Sequence, residues 1–183
     1  MNGFEASMIL WIQDNLRGAL DGFMQIVSGL GDVGILWILL GLSLVFWKKT
    51  RPIGITILLA LVFDLLLVNI LLKPLVARPR PFVVNEAIVP LVQNVNPYRS
   101  FPSGHSGASF AATLALSKWV PKQLGIPAVT VAAMIAFSRL YVGVHYPTDV
   151  LTGLAVGIIS SLAAYYLVKW IQKKMMEKKQ ANG

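Results

Sequence analysis

The stretch "FPSGHSGASF" (residues 101–110) lies where an apolar run begins, yet it holds proline, glycine, serine and one of the chain's two histidines. Pro102-Ser103-Gly104 is typical of a helix start, with Ser103 as the N-cap. A helix N-terminus presents unpaired N–H groups and a partial positive charge, which together bind phosphate oxygens. His105 falls in the first turn, near the same point. The stretch predicts an anion-facing helix end, although by itself an ordinary capped helix entering a membrane explains it better.

The composition is that of a membrane protein. Of 183 residues, 56% are hydrophobic and 13% are charged, against about 25% charged in a typical soluble domain. The length predicts one domain over residues 1–183. The net charge of +8 comes from short clusters of cations between apolar runs, which is typical of membrane-protein loops and does not favour nucleic-acid binding. There is no cysteine, which excludes disulfides, thiolate zinc sites and a cysteine nucleophile. The N-terminus lacks the basic region of a secretory signal, so we expect it to be retained.

Apolar runs of about 20 residues predict membrane-spanning helices. Five spans are predicted, over residues 33–47, 52–72, 103–120, 123–141 and 147–170. Residues 4–29 mix acidic and basic side chains with aromatics and leucines. This segment, within residues 1–30, is either an interfacial amphipathic helix or a sixth span, and both interpretations stay open. The predicted fold class is therefore all-α, a polytopic membrane helical bundle with a loop over 78–102 and a basic tail over 171–183.

The cations predict the orientation of this bundle. With five spans, ten of the sixteen cations fall on the side that holds the C-terminal tail. Cytoplasmic loops carry an excess of lysine and arginine, so we expect this side, with the C-terminus, to be cytoplasmic. Both histidines and five further cations then lie on the extracytoplasmic face, where the orientation rule does not require positive charge. We therefore expect those cations to have another role.

Two further stretches lie at the same predicted membrane depth as the helix start. "KPLVARPRPF" (73–82) ends one span, and "SRLYVGVHYPTD" (138–149) joins two others. His145 and Asp149 are four residues apart, and a carboxylate on one imidazole nitrogen leaves the other free to attack. An isolated pair of this kind is more often structural, but here both histidines fall among cations.

The cations of these stretches are suited to phosphate. The guanidinium groups of Arg80 and Arg139 donate in a planar fork, and Lys73 supplies a point charge. Phosphoryl transfer depends mainly on positioning and on neutralising the phosphate oxygens. A metal-dependent site would need several converging carboxylates, and only Asp149 and Glu86 lie near. The sequence therefore predicts no metal and no cofactor.

The three stretches together resemble the type 2 phosphatidic acid phosphatase (PAP2) family of membrane lipid phosphatases, which shares a core with vanadium haloperoxidases. The family pattern is K-x6-R-P, P-S-G-H and S-R-x5-H-x3-D. Lys73 with Arg80-Pro81, the segment 102–105, and Ser138-Arg139 with His145 and Asp149 match every defined position. Arg78-Pro79 offers a second R-P, but the family spacing selects Arg80. The resemblance covers about residues 30–160 and implies a PAP2/haloperoxidase-like helical core.

The resemblance also implies a role for each motif residue. His145 would attack phosphorus and form a phosphohistidine, with Asp149 orienting its ring. His105 would protonate the leaving oxygen and then activate water. The residues that would hold the phosphate are Lys73, Arg80, Ser103, Gly104 and Arg139.

We therefore predict a metal-independent lipid phosphatase with its active site on the extracytoplasmic face of a bacterial cytoplasmic membrane. Undecaprenyl diphosphate is the favoured substrate, followed by phosphatidylglycerophosphate or phosphatidate. The expected partners are this lipid phosphate and membrane lipids, with no nucleic acid and no protein partner. One alternative is a non-catalytic phospholipid-binding or transport protein with the same basic pocket, which would not need His145 paired with Asp149. A vanadate-dependent peroxidase is another, but such enzymes are soluble.

Two polar residues inside the span 52–72 complete the predictions. Asn69 lies four residues before Lys73, on the same helical face. Whether it lines the predicted phosphate pocket stays open. Asp64 lies nine residues before Lys73, which places it on the opposite face of an α-helix at about 100° per residue. We therefore expect Asp64 to make a helix–helix hydrogen bond away from the catalytic cluster.

Overall fold

A computed structural model describes residues 3–181, and this part of the chain is helical and contains no strand. The predicted all-α class agrees with it. The termini of the predicted domain and tail, residues 1–2 and 182–183, lie outside the described residues. The α-helices are α1 (Gly3–Leu16), α2 (Asp21–Leu30), α3 (Ile35–Phe46), α4 (Arg51–Asp64), α5 (Lys73–Val76), α6 (Pro81–Val84), α7 (Gly104–Ser117), α8 (Lys122–Tyr141) and α9 (Pro147–Ala181). A 3-10 turn over Asp32–Gly34 precedes α3, and a π-helical segment over Leu65–Leu72 joins α4 to α5.

Helix α7 lies at the centre of the bundle and packs against α4, α8 and α9. Its sequence, GHSGASFAATLALS, is composed mostly of small residues, and Ala111, Ala112 and Ala115 are buried. Small side chains let helix backbones approach closely in membrane proteins. On α9, Gly157 lies so close to α7 that an added Cβ would be 2.8 Å from the Gly107 carbonyl oxygen. The close packing holds the start of α7, and so the phosphate-binding motif predicted there, against the start of α9.

Three helical runs within residues 3–181 are long and apolar enough to cross a membrane: 51–84, α8 and α9. A fourth candidate is α2 together with the run 32–46, which is bent by 42° at the break between them. Helix α7 has 14 residues, about 21 Å of helix, against a hydrocarbon thickness of about 30 Å. It agrees in position with the predicted span 103–120, but its crossing of the membrane stays a prediction. Helix α9 continues through the predicted basic tail.

The N-terminal region 4–29 forms two helices, α1 and α2, where the sequence suggested one. The chain breaks at Gly18, whose φ of +121° is accessible to glycine and strained for other residues. Helix α1 has 14 residues, about 21 Å, which is shorter than a hydrocarbon thickness of about 30 Å. Both helices pack against α8. The two alternatives, an interfacial helix or a sixth span, therefore apply to α1 and α2 separately.

The π-helical segment corrects the predicted placement of Asp64. A π-helix closes i→i+5 hydrogen bonds, so it turns about 80–85° per residue instead of about 100°. The nine residues from Asp64 to Lys73 therefore return close to the same face. In agreement, Gly104 of α7 faces the Lys73 ammonium and Gly107, one turn later, faces the Asp64 carboxylate. The prediction that Asp64 points away from Lys73 is wrong, and its buried Oδ1 has no hydrogen-bond partner within residues 3–181.

Candidate active site

The three predicted motifs meet where α7 and α9 begin. Ser103 caps α7, and its hydroxyl accepts a hydrogen bond from the Ser106 amide, as the sequence predicts. The Ser103 amide in turn donates to the Asp149 carbonyl at 3.0 Å. Helix α9 starts at Pro147, a residue suited to the first helical position. The backbone thus joins the segment that carries His105 directly to the segment that carries His145.

His145 lies in the turn between α8 and α9 and is 2% exposed. Its Nδ1 is 3.4 Å from Asp149 Oδ2, and its Nε2 is 3.3 Å from Arg80 Nη1. The ring therefore has a carboxylate on one nitrogen and a cation beside the other. Burial, together with the charges of Arg80 and Arg139, lowers the pKa of His145 to about 3, although the Asp149 hydrogen bond acts in the opposite direction. The imidazole is accordingly neutral near neutral pH, which is the form of a nucleophile.

Arg80 is held by the loop around it. Its Nε donates to the Asn96 carbonyl and its Nη1 to the Val144 carbonyl, each at 2.7 Å. The side chain is nearly fully buried, with 6% of the residue exposed. These bonds place the guanidinium next to His145 Nε2. There it would contact a phosphate bound to that nitrogen.

Asp149 is fully buried and bound on both oxygens. Arg78 Nη1 donates to Oδ1 at 2.6 Å, the Tyr146 amide donates to Oδ2 at 2.9 Å, and the Ser100 hydroxyl also donates to Oδ2. The family spacing selects Arg80 over Arg78 for the phosphate site, and Ser100 belongs to none of the three motifs. The structure places Arg78 behind Asp149, on the side away from His145.

His105 lies in the first turn of α7, as predicted, and contacts a residue that the motifs do not contain. Its Nε2 is 2.8 Å from Asp32 Oδ1. Asp32 opens the 3-10 turn before α3. An added Cβ on the neighbouring Gly31 would be 2.7 Å from His105 Cδ2, so the imidazole ring packs directly against this turn. His105 therefore also has a carboxylate on one nitrogen.

Lys73 and Gly104 lie together at the other side of the site. Lys73 Nζ donates to Asn69 Oδ1 at 2.7 Å, and a Cβ on Gly104 would be only 3.3 Å from that Nζ. Glycine at this position therefore lets the ammonium approach the α7 backbone. Of the two alternatives for Asn69, the structure places it beside the predicted phosphate-binding lysine.

Arg139, at the end of α8, is 3% exposed. Its Nη1 donates to the Ser28 hydroxyl, and its buried Nε has no partner within residues 3–181. The guanidinium is close enough to act electrostatically on both His105 and His145. A buried donor without a partner, on a cation near both imidazoles, is well placed to bind an anion.

An apolar cavity of about 530 Å³ opens beside the cluster. Its wall includes Leu58, Leu61 and Leu65 from the run 51–72 and Ala108 from α7, with Asp64 and Asn69 as its polar residues. Asn69 connects the cavity to Lys73. The described residues hold no group of three or more histidine, cysteine or acidic side chains that could bind a metal ion, and a metal-independent reaction stays a prediction.

The model of the PAP2 superfamily matches residues 53–173, about two thirds of the chain. The chain belongs to the PAP2 superfamily. It is similar to an undecaprenyl-diphosphatase of Sulfolobus acidocaldarius, 32% identical over 155 residues that cover 85% of this chain and 74% of the relative. It is likewise similar to phosphatidylglycerophosphatase B of Bacillus subtilis, 32% identical over 172 residues that cover 85% and 78%.

The fold agrees with this membership. The crystal structure of LpxE from Aquifex aeolicus superposes with a TM-score of 0.78 at 28% identity, covering 88% of this chain and 94% of that one. With its apolar helices and phosphatase relatives, this PAP2 protein is an integral membrane phosphatase of a lipid phosphatase family. The alternative of a non-catalytic lipid-binding protein is disfavoured accordingly.

Proposed function

We propose that this PAP2 phosphatase releases inorganic phosphate from a lipid diphosphate or phosphomonoester through a phosphohistidine at His145. The observation that carries the proposal is the environment of the His145 ring. Asp149 lies at Nδ1 and the Arg80 guanidinium lies at Nε2. A neutral, oriented imidazole with a fixed cation where phosphate charge develops combines nucleophilic and electrostatic catalysis.

The reaction has two balanced steps. In the first, His145 Nε2 forms a bond to phosphorus while the bond from phosphorus to the leaving oxygen breaks, and His105 gives its proton to that oxygen. In the second, water attacks phosphorus, its proton passes to His105, and the phosphorus–nitrogen bond breaks to release phosphate. Arg80, Arg139 and Lys73 would neutralise the phosphate oxygens throughout.

Ser103 and Gly104 would complete the phosphate site. The Ser103 hydroxyl and the Gly104 amide lie at the N-terminus of α7, which favours anions. Both stay in the role that the family pattern implies for them. No metal and no cofactor takes part in this scheme.

Undecaprenyl diphosphate is the favoured substrate, followed by phosphatidylglycerophosphate or phosphatidate. The undecaprenyl-diphosphatase relative supports this order, and the phosphatidylglycerophosphatase relative supports the second choice. The apolar cavity beside Lys73 would hold hydrocarbon next to the phosphate. Hydrolysis of a lipid diphosphate would release the lipid monophosphate, and hydrolysis of a lipid phosphomonoester would release the lipid alcohol.

The mechanism is tested by trapping the intermediate. Purified protein in detergent is mixed with lipid diphosphate labelled on the terminal phosphate, quenched in base, and assayed for labelled protein and for free phosphate. The His145→Ala variant should show neither. The His105→Ala variant should accumulate labelled protein, because water activation is lost while a diphosphate remains a good leaving group. Labelled protein or full phosphate release in His145→Ala would contradict the mechanism.

We further propose that five helices span the bilayer in one 1–183 domain, with the active site extracytoplasmic and the C-terminus cytoplasmic. The chain has no cysteine, so one cysteine introduced in the loop 82–101 is a unique label. A membrane-impermeant thiol reagent should modify it in intact cells, whereas a cysteine in the tail 171–181 should be protected. The reverse pattern would contradict the orientation.

A further inference from the structure

The N-terminal residues 3–34 lie outside the region 53–173 that matches the PAP2 model. They also lie outside all three predicted motifs. Nevertheless, side chains from α1, α2 and the 3-10 turn each reach a different residue of the candidate active site. Three separate contacts carry the inference.

The first contact runs from Glu5 through Arg78 to Asp149. Arg78 Nη2 is 2.7 Å from Glu5 Oε2, and Nη1 is 2.6 Å from Asp149 Oδ1. The guanidinium also lies over the Tyr146 ring, 3.9 Å from its centroid. Because the cation is clamped between two carboxylates and an aromatic face, its position depends on Glu5. Asp149 then presents its other oxygen to His145.

Glu5 is itself tied to α9. The Thr148 hydroxyl donates to Glu5 Oε1 at 2.6 Å, and the Thr148 amide donates to the same oxygen at 3.2 Å. Glu5 is 8% exposed, although it lies only two residues from the start of α1. A buried acid with three donor contacts from two other segments is more than a solubilising charge.

The second contact joins Ser28 of α2 to Arg139. Both residues are almost completely buried, at 1% and 3% exposed, and the Arg139 Nη1 donates to the Ser28 hydroxyl. This bond fixes one edge of the guanidinium. The Nε on the guanidinium has no partner within the described residues, so Ser28 sets the direction in which a free donor points.

The third contact joins Asp32 to His105, with 2.8 Å between Oδ1 and Nε2. The Asp32 side chain is 65% exposed, so it does not belong to the packed core. The His105 ring, in contrast, packs against Gly31. A carboxylate on one imidazole nitrogen stabilises the protonated ring and fixes its orientation. The charged groups around this ring are Asp32, Arg139 and Lys73.

We propose that residues 3–34 form a positioning segment that orients both catalytic imidazoles and Arg139, with Glu5 and Asp32 as its positioning residues. The inference rests on the proposed two-step function of His145 and His105. Glu5 acts on the nucleophile through Arg78 and Asp149, and Asp32 acts on the proton donor. A segment that merely anchored the bundle would not need a separate polar contact to each.

The Asp32 contact and the Glu5 contact support different parts of the reaction, and this difference provides the test. Asp32 supports protonation of the leaving oxygen, so its loss should matter most for a poor leaving group such as a lipid alcohol. A p-nitrophenolate leaving group needs little protonation, so cleavage of p-nitrophenyl phosphate should depend little on Asp32. Glu5 supports attack by His145, so its loss should slow both substrates alike.

The experiment measures kcat and KM for phosphatidate and for p-nitrophenyl phosphate in four detergent-purified variants: Asp32→Asn, Asp32→Glu, Glu5→Gln and Asp14→Asn. Asp14 is an exposed carboxylate on α1 and serves as the matched control. We expect Asp32→Asn to lose roughly 10- to 100-fold in kcat/KM with phosphatidate and less than about threefold in kcat/KM with the aryl phosphate. Asp32→Glu should recover part of that loss. The ratio kcat/KM reports the steps up to loss of the leaving group, whereas kcat also contains the water-activation step, which is the same for both substrates.

For Glu5→Gln we expect roughly a tenfold loss in kcat/KM with both substrates. Asp14→Asn should stay within about twofold of wild type. Melting temperatures measured alongside separate positioning from unfolding, since a structural loss would lower Tm in proportion to activity. Equal losses of kcat/KM in Asp32→Asn on the two substrates, or losses that follow Tm alone, would overturn the inference.

The failure of this inference can be told from a failure of the proposed function. If wild type forms a phosphohistidine and His145→Ala does not, the two-step function stands whatever the N-terminal variants do. In that case full activity of both Asp32→Asn and Glu5→Gln refutes only the positioning segment. If wild type forms no phosphohistidine, the proposed function itself is wrong.

Discussion

Gly153 of α9 lies against the start of α7, and replacing it by alanine should move the two helices apart. An added Cβ would be 2.5 Å from the Ser103 carbonyl oxygen and 2.9 Å from Ser106 Cβ. Contacts below 3.0 Å are essentially never seen for real Cβ atoms. Because the nearest atom belongs to the backbone, Gly153→Ala must move α9 away from the start of α7 by at least about 0.5 Å.

The displacement falls on the connection between the motifs. The Ser103 amide bonds to the Asp149 carbonyl, so a shift at this point changes the distance between the His105 and His145 segments. A misplacement of about 1 Å can cost about 100-fold in rate, and we therefore expect kcat to fall by roughly 10- to 100-fold. Overpacking should also cost about 1–3 kcal/mol of stability.

Gly157→Ala provides the matched control. Its added Cβ would be 2.8 Å from the Gly107 carbonyl oxygen and 2.9 Å from the Ala111 amide, which is similar crowding one turn farther along α9. Phosphate release from saturating lipid phosphate and Tm are measured for both variants. A similar loss of Tm with a much smaller loss of kcat is expected for Gly157→Ala. Equal losses of kcat, or wild-type kcat in Gly153→Ala, would refute the reasoning.

Three further predictions concern single charged groups. Arg80→Lys should lower kcat/KM by roughly 100-fold in the phosphate-release assay, because lysine cannot bond the loop carbonyls and face His145 at once; activity near wild type would contradict the assigned geometry. Burial raises the pKa of Glu5, but hydrogen bonds from Thr148 and Arg78 outweigh burial and hold the pKa below 4.5. The stabilisation of α1 by the ionised Glu5 is therefore complete above pH 4.5. It is lost as the pH falls through the lower pKa of the folded protein. The protection factors of the α1 amides, which are corrected for the intrinsic exchange rate at each pH, should therefore fall in acid, and Glu5→Gln should remove that change in protection. With a pKa of about 3, His145 should stay neutral in a ¹⁵N NMR titration of His105→Ala down to about pH 4, and protonation near pH 6.5 would contradict its burial beside Arg80.

The motif residues could be found in the sequence because their chemistry conflicts with their surroundings. Histidines and arginines at the ends of apolar runs are costly in a membrane unless they have a function, and helix-start signals place them at one depth. Helices α8 and α9 begin within a residue of the predicted positions for the same reason. Asn69 beside Lys73 followed from four-residue spacing, which survives the change from an α- to a π-helix.

Three site residues outside the predicted motifs make contacts that no local sequence pattern encodes. Glu5, Ser28 and Asp32 reach their partners across more than 70 residues, so each contact exists only after α1 and α2 have docked. The π-helical segment was missed because LLLVNILL has no marker of hydrogen-bond register. As a result, the face assigned to Asp64 was wrong.

The sequence alone determined that apolar helices carry two imidazoles and a set of cations to helix ends, because hydrophobic length and helix-start residues act locally. The family spacing selected Arg80 over Arg78 for the phosphate site, but only the tertiary structure decided which groups each arginine contacts. Arg80 points to His145 because the carbonyls of Asn96 and Val144 hold it there, and Arg78 turns behind Asp149 because Glu5 draws it. The direction of a long, flexible guanidinium depends on the acceptors that surround it, and these come together only when distant segments pack.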